Sequence, residues 1–247
     1  MESDQNSVYI YGRKPVLEYV QKSEKSSIKE VFVYKDQNDS SVKDLIDLLK
    51  TRKIKVNFVK KEDIIRRVGD VNHQGVAALV DFNFTPLSFW LKEKLSEKST
   101  VLVFDHITDT GNAGAMIRSA RAFGVDTIIL PLRNQAPIDG KMMKSSAGNL
   151  TDLNIIVVSN VNDTLEKLKK AGFWVYGLDM DGKKNITEED FSEKVALVVG
   201  SEGEGIRPKT KELCDIMLSI PMQKGIESLN ASVAAAIVMY EIYKKNS

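Results

Sequence analysis

Three short stretches collect the side chains that could do chemistry. Residues 109–124 (DTGNAGAMIRSARAFG) offer Asn112 and Arg118, and residues 195–206 (VALVVGSEGEGI) offer Glu202 inside a glycine-rich turn. Residues 220–240 (IPMQKGIESLNASVAAAIVMY) put Glu227, Ser228 and Asn230 at the mouth of a long apolar helix. A helix start exposes unpaired N–H groups and the positive end of the helix dipole, so polar side chains there are either caps or a site. Asn112 could likewise be an N-cap, Arg118 a solvated charge and Glu202 the exposed tip of a plain tight turn. Asn112, Ala115 and Arg118 fall on a ridge distinct from the apolar stripe Met116, Ile117, Ala120 and Phe123.

Several other chemistries are excluded by pattern. No G-x-x-x-x-G-K-[ST] loop occurs, and Pro208 stands where a dinucleotide fingerprint beginning at Gly203 would need its third glycine. His73 and His106 have no metal-ligand spacing and no cysteine partners, so no metal is expected. G-x-S-x-G is absent. The one cysteine, Cys214, sits in an apolar run and reads as a small core residue. With 35 basic and 34 acidic residues the net charge is +1, which excludes a polybasic tail but allows a local basic face. The polar, acidic start MESDQNSVYI is no signal peptide, and no apolar run approaches the roughly 20 residues of a membrane span, so a cytoplasmic protein is expected.

The elements that must position these groups alternate. In the first part, residues 28–34, 56–59 and 75–82 read as strands and 42–49 and 62–68 as helices, a small α/β domain over 1–83. Residues 84–99, charged and containing Pro86, read as a linker with a helical turn. From Thr100 onward, strands at 101–104, 127–130, 155–158, 173–178, 196–199 and 216–220 alternate with helices at 112–123, 161–171 and 228–243. That alternation predicts a mostly parallel sheet covered by helices over 100–247, and ligands of such sheets bind beyond the carboxyl ends of the strands.

Taken together the three stretches resemble the three motifs of the SpoU family of RNA ribose 2′-O-methyltransferases, in the SPOUT superfamily: NAGAMIRSA from Asn112, VGSEGEGI from Val199, and IPM from Ile220 followed by SLNASVA from Ser228. KSSAG from Lys144 is similar to the segment between the first two motifs. GRKPV from Gly12 and HQGV from His73 are similar to the small substrate-binding domain of longer members, which is itself like ribosomal RNA-binding proteins. One departure is Asp109-Thr110-Gly111, where members often carry Asp-Pro.

The resemblance implies a C-terminal domain threaded as a deep trefoil knot, with S-adenosylmethionine held near Gly200, Ser201, Ile220 and Leu229. It also implies a homodimer with the site close to its interface, and action on a guanosine of 23S rRNA, with tRNA or a catalytically silent RNA-binding assembly module as alternatives. The catalytic set it implies is Arg118, Asn112, Glu202, Ser228 and Asn230, with Glu202 bracing Arg118 or the Asn pair. Arg13, Lys14, Arg133 and Lys144 are the expected RNA contacts; Arg66 and Arg67 could also touch phosphate.

Overall fold

The computed structural model describes residues 7–36, 40–225 and 228–246. Glu227 lies outside the described residues. Two compact units are present, each considered by itself.

The first unit takes the described residues up to Asn83 together with Ile138–Thr151. Its strands are β1 (Ser7–Tyr11), β2 (Ile28–Tyr34), β3 (Val56–Val59) and β4 (Val76–Asp81). They form one mixed sheet in the order β1-β4-β2-β3, with β2 parallel to β3 and antiparallel to β4. Its helices are α1 (Arg13–Lys22), α2 (Ser40–Thr51) and α3 (Lys61–Val68). β1 and α1 add to the elements read from sequence. Pro15 sits in the first turn of α1, where its missing N–H costs nothing. Val42, Leu45 and Leu49 of α2 are buried as their spacing requires.

The second unit takes Phe84–Pro137 and Asp152–Ser247. It opens with the short helix α4 (Leu87–Phe89), which continues as a π turn over Trp90–Lys94. The segment expected to link domains buries Trp90 here, against Phe173. The remaining elements are β5 (Ser99–Asp105), α5 (Thr110–Ala122), β6 (Thr127–Pro131), then α6 (Gly140–Ser145, within the first unit), β7 (Asn154–Val158), α7 (Val161–Lys170), β8 (Trp174–Leu178), β9 (Lys184–Asn185), β10 (Lys194–Gly200), α8 (Pro208–Lys211), β11 (Ile216–Ser219) and α9 (Ala231–Asn246). The sheet order is β7-β6-β5-β10-β8-β11-β9, and every pairing is parallel. The apolar run Val101–Phe104 is fully buried, as a central strand covered on both faces must be.

The last helix differs from expectation in its start. It begins at Ala231, not Ser228, because Asn230 caps it: Asn230 Oδ1 accepts from the backbone N–H of Ser232 at 3.0 Å and of Val233 at 3.3 Å. No helix among the described residues is long and apolar enough to cross a membrane.

Candidate active site

The three polar stretches leave the sheet at the carboxyl ends of β5, β10 and β11, and β5 and β10 are neighbours in exact register from Ser99–Lys194 to Asp105–Gly200. Each loop is shaped by a local device. After β5, Asp109 caps α5, its Oδ1 accepting from Asn112 N–H at 2.6 Å. Asn112 is therefore in the first helical turn and is not the cap, which leaves its amide free to look outward. After β10 the chain folds back tightly, with Gly205 N–H donating to Ser201 O at 2.9 Å. A Cβ on Gly200 would stand 2.0 Å from the Gly205 carbonyl carbon, so no other residue fits the start of this turn.

The turns meet through side chains. Asn112 Nδ2 donates to Glu202 Oε2 at 3.0 Å. Asn230 Nδ2 donates to Asn112 Oδ1 at 2.9 Å and to the same Glu202 oxygen at 3.4 Å. Since Asn230 Oδ1 is committed to the start of α9, also accepting from Ser232 Oγ at 2.6 Å, the amide orientation of Asn230 is fixed by the helix it caps. Of the two partners expected for Glu202, the structure selects the asparagine pair.

Arg118 is elsewhere. It lies six residues further along α5, about 9 Å at the helical rise, exposed and outside the cavities described next. Its neighbours Ala115 and Ser119 line an apolar groove between α5 and α9, completed by Phe123, Val233, Ile237 and Tyr240.

Two cavities flank the Asn112–Glu202–Asn230 cluster. The first, about 290 Å³, has apolar walls from Leu178, Val199, Ile220, Leu229 and Ala234 and polar groups from Asp179, Ser201, Glu202 and Ser228. Gly200 also lines it, so all four residues expected to hold a cofactor converge here. Burial would raise the Asp179 carboxyl, but its ion pair with Lys211 outweighs this and holds it below the usual range. The second cavity, about 480 Å³, shares Ser201, Glu202, Gly203 and Glu204 with the first and adds His106, Thr108, Asp109, Asn112 and Asn134. Sequence reasoning missed His106 and Asn134. Their signal is a left-handed backbone in the structure, φ 65° and 54°, which no local pattern announces.

In the first unit, Arg13 and the loop from Asn72 to Gly75 come together. Arg13 N–H donates to Gln74 Oε1 and its Nε–H to Gln74 O, both at 3.2 Å, and both residues line a cavity of about 380 Å³ with Tyr34 and Lys61. Lys144 Nζ reaches Asn72 O at 3.4 Å. Lys14 is exposed beside Glu18, and Arg133 is exposed in the loop after β6 of the second unit. His73 is buried with Nδ1 accepting from Gly75 N–H at 3.0 Å. Burial, then Lys61, pushes its pKa down.

Comparisons with known proteins assign both units to families. Residues 99–240 match the SpoU rRNA Methylase family, and residues 9–86 match the family described as RNA 2′-O ribose methyltransferase substrate binding. A protein of Staphylococcus saprophyticus assigned to the TrmH family of tRNA/rRNA methyltransferases is 33% identical over 97% of this chain and 96% of its own. The 23S rRNA (guanosine-2′-O-)-methyltransferase RlmB of Nitrosomonas europaea is 32% identical over 98% of this chain and 93% of its own. The solved structure of the SpoU methyltransferase AviRb from Streptomyces viridochromogenes, in complex with AdoMet, superposes with a TM-score of 0.81 at 24% identity, covering 97% of this chain and 90% of that one. The chain belongs to the SpoU family of RNA methyltransferases.

Proposed function

We propose that the protein transfers a methyl group from S-adenosylmethionine to a ribose 2′-hydroxyl of RNA, and that the RNA is 23S rRNA with guanosine as the target. The carrying observation is the Asn112–Glu202–Asn230 cluster, which joins all three motif loops between two cavities. A silent RNA-binding module would have no use for amides held so specifically. The guanosine and 23S assignments are supported by the Nitrosomonas relative at 32% identity.

The first cavity fits the methyl donor. Its apolar walls suit an adenine, Ser201 and Ser228 offer hydrogen bonds, and Glu202 and Asp179 offer negative charge. Gly203, whose absent side chain would touch nothing in the protein, leaves the floor shared by both cavities open to close approach. The donor supplies a methyl group already activated by a positively charged sulfur, so the protein must supply placement and a route for the hydroxyl proton. Asn112 and Asn230, braced by Glu202, orient the groups at the boundary of the cavities. Arg118 stays protonated; it positions an RNA phosphate and stabilises charge developing on the ribose oxygen.

The last helix supports the dimer. Its face Val233, Ile237 and Tyr240 is not taken up by the core, which receives Val238 and Met239; Val233 and Tyr240 are each 48% exposed. A second copy docked on that face would lie against the groove flanking Arg118. The C-terminal segment is inferred to thread as a trefoil knot, an inference that rests on membership of the SpoU family.

The N-terminal module is inferred to grip RNA through Arg13, Lys14 and Lys144, with Arg133 contributing from the second unit. Cutting the chain before Phe84 would be a poor test, because Met142, Met143 and Leu150 are buried within the first unit. Arg13→Ala with Lys144→Ala in the full chain should weaken RNA binding and leave donor binding intact.

The decisive experiment maps ribose methylation in rRNA and tRNA from cells with and without the gene, alongside calorimetry of chelator-treated protein with S-adenosylmethionine. One 23S site lost with the gene, and heat of binding without metal, are expected. A lost tRNA site would move the substrate to tRNA; no lost site and no heat would leave an RNA-binding module.

A further inference from the structure

The GRK and HQG stretches of the first unit lead to one place. Tyr34, the last residue of β2, donates its N–H to Gly75 O at 2.8 Å, and Gly12, which follows β1, donates to Val76 O at 3.0 Å. The ends of two strands are thus tied to the loop that enters β4. That loop also folds on itself, with His73 N–H donating to Val71 O at 2.8 Å and Val76 N–H to His73 O at 3.0 Å. Gln74 and Gly75 are both left-handed, φ 52° and 75°, a conformation glutamine seldom adopts. Strain of this kind persists only where the surroundings impose it, and it concentrates at ligand clamps and active sites. The cavity of about 380 Å³ lined by this loop falls in the size range of ligand sites.

What the loop presents to the cavity is fixed by bonds behind it. His73 is 5% exposed and lines the cavity. Its Nδ1 accepts from Gly75 N–H, so the neutral ring carries its proton on Nε2 and has a donor to offer. Gln74 Oε1 accepts from Arg13 N–H at 3.2 Å, which leaves the NH₂ end of that amide to meet a ligand. Arg13 is anchored through Nε–H to Gln74 O. Lys61, the first residue of α3, brings a second positive charge to the lining, and Asp70 brings one negative charge.

The complement of this lining is a ligand that only accepts and carries about one negative charge. Two cations stand against one carboxylate, and both side chains whose orientation is fixed present donors. A phosphodiester matches: two non-bridging oxygens, no donor and a single charge. A phosphomonoester carries about 1.5–2 negative charges near neutral pH and overshoots the balance. A nucleobase edge mixes donors with acceptors and would set some of its own donors against these.

We propose that this cavity binds one backbone phosphodiester of RNA, with His73 Nε2–H and the Gln74 amide donating to its non-bridging oxygens and Arg13 and Lys61 balancing its charge. This rests on the reading of the N-terminal module as the part that grips RNA, and it gives that module a preformed socket in place of scattered surface charges.

The test uses the full chain and needs no methyl transfer. The chain has two histidines, so ¹⁵N imidazole spectra can be assigned with a His106→Asn variant. The His73 Nε2 resonance should move on adding a short oligouridylate and stay put with its uncharged methylphosphonate analogue. Inorganic phosphate should move it only at much higher concentration. In binding to purified 23S rRNA, Lys61→Gln should raise the dissociation constant by about tenfold and lower the slope of log affinity against log salt by about 1. Lys61→Arg should keep that slope. Gln74→Gly, which suits the left-handed backbone, should also weaken rRNA binding, and all three variants should keep the wild-type affinity for S-adenosylmethionine. An unmoved His73 resonance, an equal response to the methylphosphonate analogue, or an unchanged salt slope in Lys61→Gln would each overturn the proposal. Inorganic phosphate binding as tightly as the oligonucleotide would overturn it too, in favour of a free-anion site. Failure of the wild-type protein to bind rRNA at all would instead remove the reading of the module, and this proposal with it.

Discussion

Asn230 does two jobs with two different atoms, and Asn230→Asp separates them. Its Oδ1 caps α9, and its Nδ2 donates to Asn112 and Glu202. Aspartate is an equally good cap and sits favourably at the positive end of the helix dipole, so the fold should be unaffected. Asn230→Ala, by contrast, loses the cap, about 1 kcal/mol, or roughly 2–4 °C in Tm for a chain of this size. At the site Asn230→Asp replaces a donor by a charge 3.4 Å from Glu202 Oε2. Two unit charges at that separation repel by about 1 kcal/mol in water and about 5 kcal/mol at an effective dielectric constant of about 20. Glu202 is exposed, so the lower figure governs. Adding the hydrogen bonds lost, at about 1 kcal/mol each, the braced arrangement is disfavoured by about 2–3 kcal/mol, or roughly 30- to 150-fold in population. Single-turnover methyl transfer at neutral pH should fall by that factor with Tm unchanged. Like charges raise one another's pKa, and whichever carboxyl takes up a proton becomes a donor again. The deficit of the variant relative to wild type should therefore shrink as pH falls. Wild-type transfer by Asn230→Asp at neutral pH, or a Tm loss matching that of Asn230→Ala, would show that the cluster is a helix cap and nothing more.

Arg118→Ala should lower the transfer rate by about 10²–10³-fold without changing Tm or donor affinity, since the side chain is exposed and outside the core; Arg118→Lys should fare little better, because an ammonium lacks the planar fork. Light scattering at micromolar concentration should give twice the mass of one chain, and Val233→Asp with Tyr240→Asp should give a folded monomer. Burial would raise the Asp105 carboxyl, but its bonds from Arg207 outweigh this, so it is ionised in the fold with its pKa depressed. It therefore contributes stability above the unfolded-state value of about 3.9 and loses it as pH falls through the folded value. Asp105→Asn should melt lower than wild type at neutral pH, and the gap should narrow below about pH 4.

Elements with a strong period were legible in the sequence, and the misses share a cause. The strand expected at 28–34 is β2 residue for residue, and the buried run 101–104 lies inside β5. β9 is a two-residue strand, Lys184–Asn185, with no apolar alternation to reveal it; only its pairing with β11 makes it a strand. The part of the first cavity formed by Gly200, Ser201, Ile220 and Leu229 was legible because those residues sit on the motif stretches; Leu178 and Asp179, which complete it, do not. The second was not, because what shapes it is the meeting of loops 28 residues apart, at Ile107 and Gln135, and the left-handed turns that meeting imposes. Arg118 makes the same point from the opposite side. Helical spacing correctly put it on a ridge with Asn112, yet a shared ridge six residues long is not a shared site. Within one chain Arg118 is exposed and lines neither cavity, while Asn112 bonds Glu202. For Arg118 to act on the ribose a second copy must bring the two together, which ties the rate defect of Arg118→Ala to the assembly state: a monomeric Val233→Asp, Tyr240→Asp protein should already show most of that defect, and adding Arg118→Ala to it should cost little more.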